Sequence, residues 1–79
     1  MANFDELVEM SFGSSVENAV RRAINLECPY DDMVRLVALY RREQDPFLDV
    51  EAFVKDGASL GVATVMNALY EILEDTTKA

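Results

Sequence analysis

Apolar residues recur along this chain at intervals of three and four, and short polar stretches interrupt them. That spacing predicts helices. No segment alternates apolar and polar residues for long, and no Asn-Gly or Asp-Gly turn joins two β-branched runs; Asp56-Gly57 falls between two helical patterns. The pattern predicts an all-α fold, a compact bundle of about five helices, two of them short.

A first short helix is expected from about Asn3 to Met10. Asn3 is placed to cap it, Asp5 and Glu6 lie in its first turn, Phe4, Leu7, Val8 and Phe12 share a face, and Gly13 ends it. Ser14 with Glu17 reads as a capping box opening a second helix that runs to about Leu26, on the stripe Val16, Ala19, Val20, Ala23, Ile24. Glu17 and Arg21 pair at i,i+4, and Cys28-Pro29 is expected to close this helix. The third spans about Tyr30 to Gln44, with Asp31 and Asp32 in its first turn, and stops at Asp45-Pro46. Met33, Val34, Leu36, Val37, Ala38, Leu39 and Tyr40 make it the most apolar helix of the first half, hence central. A short fourth helix follows the cap Asp49, turns Val50, Phe53 and Val54 inward, and ends at Gly57, which is free to take positive φ. The fifth runs from a Ser59 cap to about Glu74, and residues 76 to 79 are expected to fray. The expected core is Leu7, Val20, Ile24, Met33, Leu36, Val37, Tyr40, Phe53, Met66, Leu69, Tyr70 and Leu73. The short connections imply antiparallel or angled neighbours.

Composition narrows the class. Seventy-nine residues make one domain at most, and 51% hydrophobic with 28% charged residues argues for a packed core over disorder. A single cysteine excludes an internal disulfide and, with an acidic N-terminus and no run of the ~18–20 apolar residues a membrane span needs, leads to a soluble cytoplasmic protein as the expectation. The net charge of −8 is opposite to the basic footprint of a nucleic-acid binder and gives no attraction to an anionic membrane.

The charge is also uneven. All five arginines, Arg21, Arg22, Arg35, Arg41 and Arg42, lie between residues 21 and 42, whereas residues 43 to 79 carry eight acids and two lysines, a net of −6. Solvated helix faces account for this in the simplest way. The sharper reading is electrostatic docking, to a partner or to another copy, through these arginines or through Glu71, Glu74 and Asp75 on the last helix.

Candidate chemistry is sparse. With no histidine, no Ser-His-Asp or Cys-His arrangement exists, and Cys28 beside Pro29 reads as a structural thiol. No Cys/His cluster suits zinc; Asp45, Asp49, Glu51 and Asp56 lack the order of a calcium loop; glycines 13, 57 and 61 form no phosphate-binding loop. Gly57-Ala58-Ser59-Leu60 faintly echoes the modification motif of acyl carrier proteins, but Ala58 stands where that family has aspartate, so Ser59 reads as a helix cap. Neither enzymatic activity nor a cofactor is expected.

From Met33 to Thr76 the layout is familiar: a helix ending Tyr40-Arg41-Arg42, then Asp45-Pro46-Phe47-Leu48, the short helix Asp49-Val50-Glu51-Ala52-Phe53, the stop Asp56-Gly57, and a long helix through Ala68-Leu69-Tyr70-Glu71. This resembles the C-terminal part of small phage tail assembly chaperones and covers a little over half of the chain; residues 1 to 28 lack the strand-rich opening of several members. The resemblance implies a protein that coats the tape measure protein in the host cytoplasm, recruits tail tube subunits and leaves the finished particle. An adaptable surface for that task could use Met10, Met33 and Met66, although core packing is the simpler account of them. The alternative is a small acidic phage inhibitor that imitates nucleic acid and blocks a host defence or nucleic-acid-binding protein. Either way the partner is a protein, and self-association into a homo-oligomer is compatible with both.

Overall fold

Asn3 adopts an extended conformation and its side-chain oxygen accepts the Glu6 backbone N–H at 2.8 Å, which starts helix α1, Phe4–Phe12. The computed structural model describes residues 3–78 and continues with α2, Val16–Ile24, α3, Tyr30–Arg42, α4, Val50–Asp56, a 3-10 turn at Gly57–Ser59, and α5, Val62–Thr77. The architecture is the all-α bundle of five helices that the periodicity predicts, with no strand among the described residues. Its radius of gyration is 11.5 Å, close to the roughly 12 Å of a compact chain of this length.

The predicted Asn3 and Asp49 caps and the Gly13 stop hold. Gly13 ends α1 in the left-handed region at φ 68, its N–H bonded to Glu9 O at 2.8 Å, so the helix reaches Phe12 and passes the expected Met10. Asp49 caps α4 by accepting the Ala52 N–H at 3.2 Å.

Several boundaries move. Ser15, not Ser14, caps α2, accepting the Asn18 N–H at 3.3 Å, while Ser14 Oγ is buried without a partner. The frame shifts by one because Val16 is buried as the first helical residue, in line with Ala19, Val20 and Ala23. Nor does Cys28-Pro29 close α2. The helix ends at Ile24 in a Schellman turn: Glu27 N–H bonds Arg22 O at 2.8 Å, Leu26 N–H bonds Ala23 O at 3.0 Å, and Leu26 sits at φ 60.

Gly57 stays right-handed at φ −62, against the expectation of positive φ. It is buried, and a Cβ there would overlap Val34 Cγ1 and lie 3.1 Å from Cγ2, so glycine serves close approach to α3. Ser59 does not cap α5; its hydroxyl donates to Asp56 O at 2.8 Å, and α5 starts after Gly61, which offers no capping side chain. At the far end α5 persists past Glu74 to Thr77, with Thr76 and Thr77 hydroxyls donating to Ile72 O and Leu73 O; Ala79 lies outside the described residues.

Helix α3 is central. It buries Met33, Val34, Leu36, Val37, Ala38 and Leu39 and touches each of the other four helices. The Tyr30 hydroxyl at its start donates to Leu60 O at 2.8 Å, and the Tyr40 hydroxyl near its end donates to Asp75. Helices α3 and α5 therefore run in the same direction, with α4 and the 3-10 turn returning the chain between them.

Of the expected core, Val20, Met33, Leu36, Val37 and Leu69 are buried; Leu7, Ile24, Tyr40, Phe53, Met66 and Leu73 flank it. Tyr70 is 55% exposed, about 100° round α5 from Leu69, because Val65, Leu69 and Ile72 turn inward instead. Smaller residues complete the centre, among them Val8, Val16, Ala19, Ala23, Ala38 and Val50. Met33 is core, Met66 is half-buried and Met10 is exposed.

Candidate partner-binding surface

Four of the eight charged candidates are engaged within the chain. Arg21 Nη2 meets Glu17 Oε1 at 3.0 Å, an exposed i,i+4 pair of the kind that contributes about 0.3–0.5 kcal/mol. Arg35 on α3 grips Glu51 on α4 through both guanidinium nitrogens, the second at 3.3 Å from Oε2. The hydrogen bond and the guanidinium charge hold the Glu51 carboxyl below its ordinary range, and the same bond raises Arg35. The Arg41 guanidinium lies 5.5 Å from the centroid of Phe53, a cation–π contact. Asp75 accepts from Tyr40. Arg22, Arg42, Glu71 and Glu74 are exposed and form no ion pair among the described residues.

Tyr40 is the junction of this surface. Phe4 packs edge-on against it at 5.6 Å and 71°, so the start of α1 and the ends of α3 and α5 converge. The basic turn Arg41-Arg42 and the acidic end of α5, distant in sequence, thus share one end of the molecule. The hydrogen bond to Asp75, then burial, then the Asp75 and Glu71 charges push the Tyr40 phenol from 10.0 up to about 12. A raised acid pKa means that the fold favours the protonated form. Its stabilisation is complete below pH 10 and disappears as pH rises from 10 to about 12. Tyr40→Phe is expected to remove this loss from a urea-midpoint profile over that interval; an identical profile in wild type and variant would remove the Tyr40 contact from the account.

An open groove of about 160 Å³ runs between Phe12 and the α2–α3 connection, bordered by Arg22, Glu27, Cys28 and Asp32. Burial and the Asp32 charge raise the Cys28 thiol against a lowering by Arg22, the reverse of what activates a nucleophile. No group of three or more His, Cys, Asp or Glu residues among those described is placed to hold a metal, and no helix is long and apolar enough to cross a membrane.

The least expected feature is apolar. Met10, Leu26, Phe47, Val62 and Tyr70 are all more than half exposed. Phe47 reaches 95% exposure on a loop that Asp45 organises, its carboxylate accepting the Phe47 N–H at 3.2 Å and its carbonyl the Leu48 N–H at 3.0 Å. Leu26 is 67% exposed in a left-handed conformation. Sequence periodicity passed over both because neither continues a helical stripe, although an apolar residue just beyond a stripe's last member is itself a signal. No family model, curated protein or solved structure matches this chain.

Proposed function

We propose that this chain is a non-catalytic protein-binding module whose task is that of a phage tail assembly chaperone, shielding apolar helices of the tape measure protein in the host cytoplasm. Leu26 carries the reading. At the left-handed position of a Schellman turn glycine is the favoured residue, and a side chain there costs about 1 kcal/mol. Leu26 bears that cost while presenting its side chain to solvent, where it adds nothing to the core. Backbone strain of this kind concentrates at functional sites, and a partner's apolar surface gives the leucine a use. The exposed Phe47 and Met10 extend the same character. The nucleic-acid-mimic alternative draws less support, since Asp75, one of the three acids of α5, is held by Tyr40.

Leu26→Gly is therefore expected to stabilise the free protein by about 1 kcal/mol, raising Tm by roughly 4–8 °C, while weakening capture of a co-expressed tape measure protein. Undiminished capture by the stabilised variant would count against Leu26 as a contact, and no capture by wild type would count against the chaperone reading.

A further inference from the structure

Helix α5 carries an unfilled ridge. Val62 and Tyr70 are 58% and 55% exposed, Met66 between them is half-buried, and Glu74 comes next at the same i,i+4 spacing. Such ridges are the units by which helices interlock. The charge along this ridge is polarised. Helices α1 to α4 each have an acid in the first turn, whereas α5 has none and its cap Gly61 offers no side-chain acceptor, so the positive end of its dipole stands unopposed. Its other end holds Glu71, Glu74 and Asp75 with no base in the last turn, only Lys78 at the cap. The surface is apolar in the middle, positive at one end and negative at the other, which makes it complementary to itself when reversed.

We propose that this ridge is an isologous homodimer interface, with two copies of α5 packed antiparallel about Met66. A two-fold contact requires self-complementarity, and the ridge has it only in this orientation. Antiparallel packing sets Val62 of one copy against Tyr70 of the other and places each Glu74 about one helical turn beyond the acid-free start of α5 opposite, facing the positive end of its dipole. Glu74 stands about 12 Å along the axis from Met66, so the two Glu74 residues are separated by about 24 Å, well beyond the ~8 Å screening length at physiological salt. Parallel packing would crowd the acidic ends together. The ridge is short, and its dimer falls below the ~1,200 Å² of a standard interface, so association is concentration-dependent. The inference rests on α5 alone and is independent of the chaperone reading.

Sedimentation equilibrium of the full chain should show the apparent mass doubling between about 10 μM and 1 mM. Val62→Glu should abolish the rise without unfolding the protein, because it places an acid in the first turn, where the isolated helix tolerates it well; circular dichroism checks the fold. In a Cys28→Ser background, mixing Val62→Cys with Tyr70→Cys chains should give a crosslinked heterodimer, and neither chain alone should crosslink. A wild-type chain that stays monomeric at the highest concentration, an unaltered dimer in Val62→Glu, or crosslinking of each cysteine chain only with itself would each overturn the proposal.

Discussion

Leu36→Ala and Leu69→Ala are each expected to lower stability by about 2–5 kcal/mol, the range for truncating a large side chain in a packed core. Both side chains are fully buried, Leu36 on the central α3 and Leu69 on α5. Removing either forfeits its transfer free energy and leaves a cavity that well-packed neighbours fill only in part. A chain of this length has a total stability of about 4–12 kcal/mol, so one truncation consumes much of it and the double variant should be unfolded. Urea denaturation is the measurement: the midpoint should fall with little change in slope, as expected for lost stability without an altered unfolded state. Tyr70→Ala is the informative control. Helical spacing put Tyr70 in the core, yet it is 55% exposed, so its truncation should cost well under half as much. Equal losses at Leu69 and Tyr70, or wild-type melting of both leucine variants, would contradict the packing of α5.

Gly57→Ala is expected to destabilise by about 1–3 kcal/mol through overpacking. The backbone is not the cause, since φ −62 suits any residue. The cause is the added methyl, which would overlap Val34 Cγ1, with Cγ2 and Cβ at 3.1 and 3.2 Å. Val34 is itself buried on α3 and has nowhere to retreat. The Gly57 carbonyl is also 3.4 Å from the Tyr30 hydroxyl that secures Leu60, so displacement of the 3-10 turn would loosen the start of α5. Val34→Ala in the same chain removes the opposing methyls. A double-mutant cycle should therefore show Gly57→Ala costing clearly less beside Ala at position 34, a coupling of about 1 kcal/mol or more. Strict additivity would mean that the α3 contact is not what excludes a side chain at residue 57.

The candidate surface was legible only in part. The sequence marks Arg21, Arg22, Arg35, Arg41, Arg42, Glu71, Glu74 and Asp75 as charges that could dock, and Glu17–Arg21 is readable because the pair lies within one helix. That Arg35 is held by Glu51, Arg41 by the Phe53 ring and Asp75 by Tyr40 depends on contacts between helices, which periodicity does not encode. Exposure is hidden in the same way: a lone leucine or phenylalanine in a connection looks apolar whether it is covered or not.

By itself the sequence determined the number and order of the helices, the Asn3 and Asp49 caps, the break at Gly13 and the central place of α3. Each depends on residues a turn apart, whose hydrogen bonds and apolar spacing act within one segment. Tertiary structure decided the one-residue shift at Ser15, the left-handed Leu26, the right-handed Gly57, the shared direction of α3 and α5, and the burial of Val65, Leu69 and Ile72 in place of Tyr70. The reason is clearest in α5. Apolar residues surround most of that helix, so many orientations satisfy its own pattern, and only the positions of α2 and α3 select which side becomes the core and which remains outside.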